Sequence, residues 1–209
     1  MTQRILIIGA GQVGTILGKA WLACGHDVRF GVSAPDSPKH AELPRERLQP
    51  ANERRDAEVV VLAVPYPIAQ SALTALGDLT GLIVIDCTNP LAMGPNGLEL
   101  TLGFDTSAGE QIAAGATGAS VFKTLNQTGI ENIPHAHAFQ PKAMMFVAGD
   151  DEELKPVVLQ LVADLGFDAI DAGPLRAARL LEPLAMLWIN QAMQPGHPQG
   201  FAFAQVQRD

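Results

Sequence analysis

Apolar segments of strand length alternate with segments of helical spacing along most of this chain. Residues 4–8 and 58–65 are nearly continuous apolar runs, which is typical of strands buried on both faces. Between them, residues 12–24 carry apolar side chains at helical spacing, and residues 67–76 predict a second helix before the apolar run at residues 81–90. This alternation predicts a parallel sheet that is covered by helices on both faces.

The remaining segments extend this pattern with shorter elements. A strand is predicted at residues 27–31 and a weak one near Leu48, followed by a short charged helix. Residues 91–106 are rich in Gly, Ser, Thr and Pro and predict a long loop, a kind of segment that is usually functional or mobile. The last predicted elements are strands at residues 119–125 and 142–149, a helix at residues 152–165, an apolar segment at residues 166–175 and a helix at residues 175–193.

A glycine pattern, G-x-G-x-x-G, joins the first strand to the first helix. Gly9 permits the tight turn, Gly11 lets a ligand approach the backbone because it has no Cβ, and Gly14 lets the helix lie close to the strand. The free N–H groups and the positive dipole end at the start of that helix favour an anion such as a pyrophosphate. The context predicts dinucleotide binding, and a purely structural glycine turn is the alternative.

The end of the second strand decides between NAD and NADP. A carboxylate there would bind the 2′-hydroxyl of the adenosine ribose and favour NAD. This chain has Val32 and Ser33 at that point, whereas Asp27 lies at the beginning of the strand. Ser33 can donate a hydrogen bond and Lys39 can supply positive charge, unless Lys39 is only a solvated surface lysine. We therefore expect NADP, with NAD as the alternative.

Several stretches of the chain resemble the NADPH-dependent reductases of the deazaflavin coenzyme F420, a domain type that also occurs in the cytosolic reductase portion of the STEAP metalloreductases. The more specific stretches are VVVLAVPY and DAGPLRAARLLEPLAMLWI, and the others are IIGAGQVGTILGKAWLACGHDVRFG, VIDCTNPL, VFKTLNQTG and FVAGDDEE. The resemblance implies an α/β fold with a Rossmann-type doubly wound parallel sheet. It implies a dinucleotide-binding domain at residues 1–148 and a short C-terminal α/β extension at residues 149–209 that carries the acceptor site.

The resemblance also implies a set of contacts. Asn126 would lie near the nicotinamide and a deazaflavin or flavin co-substrate stacked on it. The assignment of Val32, Ser33 and Lys39 to the adenosine ribose comes from the end of the second strand and not from the resemblance. In the family a Ser-Arg or Val-Arg pair commonly follows the glycine that aligns with Gly31, and its arginine would hold the 2′-phosphate. This chain has Val32 and Ser33 there, and the loss of the arginine keeps dual specificity open. The other implied contacts with the dinucleotide are Gly9, Ala10, Gly11, Gln12, Val13, Gly14, Ala63, Val64, Pro65 and Asn89.

Hydride transfer requires no acid or base side chain, because the bond changes take place on the cofactors and the protein only holds the two rings together. The sequence offers no evident catalytic acid–base pair, and we assign no catalytic residue. Our hypothesis is that Asn126 hydrogen-bonds the acceptor or the carboxamide while Lys123 favours negative charge on the reduced ring. A turn-capping asparagine and an ion-paired or surface lysine are the alternatives. His135 and His137 are best interpreted as part of a polar loop or edge strand, and no metal site is predicted.

Two other functions remain open. Carbonyl or imine reductases of the β-hydroxyacid or ketopantoate type also begin with a Rossmann unit. They typically add a sizeable helical domain, whereas only residues 149–209 follow the core here. The chain could also be a non-catalytic dinucleotide sensor, since a Rossmann fold alone does not prove turnover.

Charge and composition limit the classes of molecule that the protein is expected to bind. The net charge of −8 disfavours binding to nucleic acid. The first residues lack the pattern of a secretory signal and no apolar run is long enough to span a membrane, so we expect a cytoplasmic protein without a membrane contact. The predicted partner is a small-molecule hydride acceptor. The last helix is apolar around most of its circumference, which predicts a homodimer that packs partly through it; packing within one subunit is the alternative.

Overall fold

A mixed sheet of eight strands forms the centre of the computed structural model, which describes residues 1–95, 97–198 and 200–208. Its strands are β1 (Arg4–Ile8), β2 (Asp27–Val32), β3 (Leu48–Pro50), β4 (Val59–Leu62), β5 (Ile83–Asp86), β8 (Ser120–Lys123), β9 (Met144–Gly149) and β10 (Asp168–Asp171). They are ordered β10-β9-β8-β5-β4-β1-β2-β3, and all neighbours from β8 to β3 are parallel. The β8–β9 pair is antiparallel, so β9 and β10 run opposite to the other six strands.

Helices cover both faces of the sheet. They are α1 (Gln12–Ala23), α2 (Tyr66–Thr74), α3 (Ala108–Gly115), α4 (Lys155–Asp164) and α5 (Ala178–Ala192). The core on one face contains side chains of α1 and α4, and the core on the other contains side chains of α2 and α3. This arrangement confirms the Rossmann-type doubly wound fold.

The apolar run of β1 is explained by its place in the middle of the sheet. Ile5 and Ile7 belong to the core on one face, while Leu6 and Ile8 belong to the core on the other. Because successive side chains of a strand point to opposite faces, a strand covered on both sides needs an apolar residue at every position. The pattern that predicted this strand is therefore the direct result of its double burial.

The structure differs from the sequence prediction in three segments. Residues 91–106 are not a loop throughout, because β6 (Leu91–Gly94) and β7 (Gly97–Leu100) pair as an antiparallel hairpin. The short charged helix predicted after Leu48 is absent from the described residues; a 3-10 helix at Arg45–Arg47 precedes that strand instead. Helix α3 was not predicted at all.

The predicted division at residue 148 remains a prediction. In the sheet, Phe122 of β8 is the register partner of Gly149 of β9, so hydrogen bonding continues across that boundary. Beyond α5, the Phe201 ring stacks on Trp188, and the carbonyl oxygen of Phe201 accepts the indole N–H at 2.9 Å. No helix in the described part of the chain is both long and apolar enough to cross a membrane.

Candidate functional site

An open cleft of about 350 Å³ lies at the carboxyl ends of β1, β4 and β5. It brings together three of the predicted segments: the glycine turn, the residues after β4 and the residues after β5. Its lining residues are Gly11, Gln12, Val13, Leu62, Ala63, Val64, Pro65, Tyr66, Cys87, Thr88 and Asn89.

The glycine turn is tightly enclosed on one side and open on the other. Gly9 has a φ of +103°, a conformation that L side chains rarely adopt, and a Cβ there would lie 2.6 Å from the Ala63 carbonyl oxygen. A Cβ on Gly14 would lie 2.0 Å from the Gly9 oxygen, so helix α1 and strand β1 can approach only without it. A Cβ on Gly11 would meet no protein atom within 4 Å and would stand at the cleft. Of the three glycines, Gly11 is therefore the one that leaves room for a ligand.

The start of α1 is free to bind an anion. Gly11 is its N-cap, and among the residues that the structure describes no side chain caps it and no acidic residue lies in its first turn. The carbonyl oxygen of the neighbouring Ala10 accepts a hydrogen bond from the Thr15 hydroxyl at 3.3 Å, which ties the turn to the helix. Backbone N–H groups that lack internal partners at a helix N-terminus, together with its dipole, attract phosphate groups.

Val32, Ser33 and Lys39 do not line the cleft. Val32 ends β2 and is buried, and Ser33 and Lys39 are exposed. The Gly9 N–H donates to the carbonyl oxygen of Gly31 at 2.9 Å, so the end of β2 adjoins the turn. Asp27 lies at the opposite end of β2, where Arg47 pairs with it at 2.8 Å.

Asn89 and Asn126 form a reciprocal pair that links the ends of β5 and β8. The Asn126 side-chain amide donates to Asn89 Oδ1 at 3.0 Å, and the Asn89 amide donates to the Asn126 carbonyl oxygen at 3.2 Å. The Gln127 amide donates to Asn126 Oδ1 at 3.0 Å. Asn126 is 5% exposed, whereas Asn89 lines the cleft. The pair therefore presents Asn89 to a ligand and holds Asn126 behind it.

Lys123 does not reach the surface where we expected it to act. Its side chain is fully buried, with Nζ 2.8 Å from Asp86 Oδ2 and 3.1 Å from Glu182 Oε1. The ion-paired alternative is thus the one that the geometry favours over direct contact with an acceptor. Asp86 and Lys123 end neighbouring parallel strands, so their proximity could have been inferred from the sequence. Glu182 could not, because it comes from the distant helix α5.

Tyr66 and Thr88 are cleft residues that the sequence reasoning missed. The Tyr66 hydroxyl donates to Gln111 Oε1 at 2.6 Å. Burial, Glu182 and Asp86 raise the pKa of Tyr66, so its phenol stays protonated and able to donate. Thr88 is buried, and its hydroxyl has no hydrogen-bond partner among the residues that the structure describes. A tyrosine following VVVLAVP was the available sequence signal.

The two histidines of the predicted polar loop lie elsewhere. His135 and His137 are exposed on a 3-10 helix at Ile130–Ala138. Within the described ranges, no group of three or more His, Cys, Asp or Glu side chains could hold a metal ion.

Comparison with known proteins finds one family model and several solved structures that are similar to this chain. Residues 4–90 match the family model described as NADP oxidoreductase, coenzyme F420-dependent. The whole structure is similar to that of a candidate F420-dependent NADP reductase from Arthrobacter sp. FB24, with a TM-score of 0.87 and 29% sequence identity over 98% of this chain and 100% of that chain.

More distant structures share the fold alone. A hypothetical protein, SMa0349 from Sinorhizobium meliloti, has a TM-score of 0.75 and 23% identity over 99% of this chain and 97% of that chain. An imine reductase from Aspergillus terreus has a TM-score of 0.67 and 17% identity. The match covers 91% of this chain but only 61% of the imine reductase, so the latter contains a large part that has no counterpart in the alignment.

Proposed function

Through residues 4–90 the chain belongs to the family of coenzyme F420-dependent NADP oxidoreductases, and we propose that it transfers a hydride between NADP(H) and a deazaflavin or flavin-like acceptor. The observation that carries the proposal is the cleft at the carboxyl ends of the central strands, where the glycine turn meets Asn89. Sheets of this kind bind their ligands at that edge. The chain is thus an NAD(P)H-dependent reductase, and its acceptor is the part that experiment has to identify.

The cleft residues fit a dinucleotide. At one end, the bare backbone of Gly11 and the uncapped start of α1 suit the pyrophosphate. Further along, the Thr88 hydroxyl is a buried polar group without a partner among the described residues, which suits a ribose hydroxyl. In our proposal Ala63, Val64 and Pro65 line the wall between these two points.

The residues at the end of β2 determine the preference between NADP and NAD in this proposal. We propose that the Ser33 hydroxyl and the Lys39 ammonium group hold the 2′-phosphate, because both are exposed and Ser33 directly follows β2, whose end adjoins the glycine turn. Asp27, which would have favoured NAD at the other end of the strand, is engaged with Arg47. NADP is the expected substrate, and the missing arginine predicts weaker discrimination against NAD than a bidentate phosphate contact would give.

At the nicotinamide end, the side chains of the protein position the dinucleotide and do not take part in bond changes. Bound NADPH would supply the hydride to the acceptor, and a proton from water would complete the reduced acceptor. Asn89 is the group that we propose contacts the dinucleotide, because it lines the cleft and its orientation is fixed by Asn126. Gln127 in turn fixes the Asn126 amide. A reaction that depends on the distance between two rings gains most from such rigid positioning.

A paired assay tests the function. Purified protein is titrated with NADPH and with NADH, and absorbance at the nicotinamide band is followed after adding F420, FMN or a ferric chelate. We expect rapid oxidation of NADPH by F420 or FMN. Binding of NADPH without oxidation by any of the three acceptors would instead favour a sensor. Failure to bind either nucleotide would refute the assignment of the cleft.

Asn126→Ala tests the amide pair. Loss of the amide frees Asn89, so we expect kcat/KM for NADPH to fall about tenfold, the value of one hydrogen bond of roughly 1.4 kcal/mol. Gln160→Ala is the matched control, because Gln160 is an amide on α4 that bonds Asp164 at 2.7 Å and lies outside the cleft. An unchanged kcat/KM in Asn126→Ala would remove the proposed role.

Assembly as a homodimer is a second part of the proposal. Helix α5 buries Leu181, Ala185 and Trp188, yet Leu180 and Leu187 on its other side are 71% and 49% exposed. Exposed apolar stripes on a soluble domain commonly mark contact surfaces. We propose that two copies pair through this stripe. Light scattering at micromolar concentration would contradict the proposal if it gave the mass of a monomer.

A further inference from the structure

A cluster of three charged side chains is sealed beneath the cleft. Lys123 and Asp86 are fully buried, and Glu182 is 2% exposed in its side chain. The ammonium group lies between the two carboxylates, 2.8 Å from Asp86 and 3.1 Å from Glu182. We call these three residues the buried charge cluster. The reaction proposed above uses none of them directly.

The hydrogen bonds of the cluster match two ionised carboxylates. Asp86 Oδ1 accepts the Thr88 N–H at 2.9 Å, and Glu182 accepts the N–H groups of Ala108 and Gly109 at 3.0 and 3.1 Å. Oxygens that only accept belong to the unprotonated form of a carboxyl group.

The third member of the cluster is a cation. Burial disfavours the ammonium group of Lys123, but Asp86 and then Glu182 outweigh it and raise the pKa of Lys123. Two anions and one cation leave one net negative charge. The N-terminus of α3, which Glu182 caps, offsets about half of it.

The remaining negative charge acts on the cleft. Lys123 Nζ donates to the Thr88 carbonyl oxygen at 2.5 Å, and Thr88 lines the cleft together with Cys87. Two ionisable groups of the cleft wall lie close enough to the cluster to respond to it. Burial and then Asp86 raise the pKa of the Cys87 thiol, and burial, Glu182 and Asp86 raise the pKa of Tyr66. In both cases the carboxylates contribute more than Lys123, so the cluster acts on these two groups as a net negative charge.

We propose that the buried charge cluster stabilises the oxidised nicotinamide ring relative to the reduced ring, and so makes the bound cofactor a better hydride donor. The inference rests on the proposed function, from which it takes the position of the nicotinamide ring near Thr88 and Asn89. NADP⁺ and NADPH carry the same phosphates and differ by one positive charge on the ring. A fixed negative charge below that ring favours the cation, and it favours the transition state in which the positive charge develops.

The test compares the affinities of the two redox forms and needs no acceptor. Dissociation constants for NADP⁺ and NADPH are measured by calorimetry on wild-type protein and on Glu182→Gln, which removes one negative charge at nearly constant volume. We expect the ratio Kd(NADP⁺)/Kd(NADPH) to rise about tenfold, the effect of one unit charge at roughly 10 Å with an effective dielectric constant near 20. The Kd for NADPH should change less than about threefold, because the reduced ring is uncharged and has no Coulomb attraction to Glu182 that the substitution could remove.

Two further variants separate the electrostatic role from a structural one. Asp86→Asn removes one negative charge from the opposite side of Lys123 and carries the test if Glu182→Gln does not fold. Glu153→Gln removes one exposed charge at the surface and should leave the ratio unchanged. An equal loss of affinity for both nucleotides in the cluster variants would mean that the cluster only supports the fold, and would overturn the inference. An unchanged ratio in a folded variant would overturn it too.

Measurements on the wild-type protein separate the failure of this inference from the failure of the proposed function. Failure to bind either nucleotide would be the failure of the proposed function itself. An absence of acceptor reduction, by contrast, would leave the binding ratio and this inference standing.

Discussion

Replacing Gly11 by alanine should abolish most dinucleotide binding without harming the fold. Gly11 has φ and ψ of −77° and −168°, an extended conformation that alanine adopts freely, and a Cβ there meets no protein atom within 4 Å. The change from glycine to alanine at a helix N-cap costs at most about 1 kcal/mol. The melting temperature should therefore fall by no more than about 4 °C for a chain of this length.

The loss in binding is larger because the new methyl group stands where the pyrophosphate must approach the backbone. Hydrogen bonds from backbone N–H groups to a charged phosphate are worth about 1.5–3 kcal/mol each. Loss of one such bond corresponds to a Kd for NADPH that is about 10-fold to 150-fold weaker. We therefore expect Gly11→Ala to keep a melting temperature near that of wild type while its Kd for NADPH rises strongly.

The measurement is titration of NADPH fluorescence alongside thermal unfolding. Gly200→Ala is the neutral control, because a Cβ there also meets nothing within 4 Å and Gly200 lies outside the cleft. Gly14→Ala is the structural control, since its Cβ would lie 2.0 Å from the Gly9 oxygen. That overlap should cost about 1–3 kcal/mol of stability. If folded Gly11→Ala bound NADPH with the wild-type Kd, the placement of the pyrophosphate would be refuted.

Three further predictions concern stability and assembly. Trp21→Phe removes the buried indole N–H that donates to the Leu161 carbonyl oxygen at 2.9 Å; we expect a loss of about 1–2 kcal/mol, seen as a lower urea midpoint with an unchanged m-value. Hydrogen bonding to Arg179 lowers the pKa of Glu110 from its ordinary 4.5, so the stability from this pair is complete above that pH and is lost as the pH falls through the lower folded-state pKa. The urea midpoint of Arg179→Gln should consequently decline less between about pH 5 and pH 3 than that of wild type, and an equal decline would argue against the pair. Leu187→Arg places a charge on the exposed stripe of α5 and should convert the proposed dimer to a monomer in light scattering, with far-UV circular dichroism unchanged.

The parts of the fold that the sequence predicted are those in which one physical demand dominates each position. Strand β1 needs apolar residues on both faces, and Gly9 and Gly14 are required by a turn and a close contact. Helix α3 escaped prediction because its residues are mostly alanine and glycine, which give weak periodicity. Its N-terminus did carry a signal, since Ser107 and Glu110 have the spacing of a capping box.

The candidate site was predicted only as far as single segments determine it. Gly11 and Asn89 line one cleft, as the meeting of parallel strand ends at one edge leads us to expect, and their contacts with a dinucleotide stay a prediction. An ion-paired Lys123 was one of the two interpretations of the sequence, but its partner Glu182 was not foreseen, because it reaches Lys123 from α5 through tertiary packing rather than local spacing. Buried ion pairs between distant segments leave no local pattern in a sequence.

The central position of β1 has a consequence for how the chain is made. β1 pairs with β2 on one side and with β4 on the other, so its second edge stays open until residues 59–62 have been synthesised. An open edge of consecutive apolar residues is a template for pairing with another chain. During synthesis, a strand that is later covered on both faces therefore exposes an apolar edge to other chains until residues 59–62 arrive.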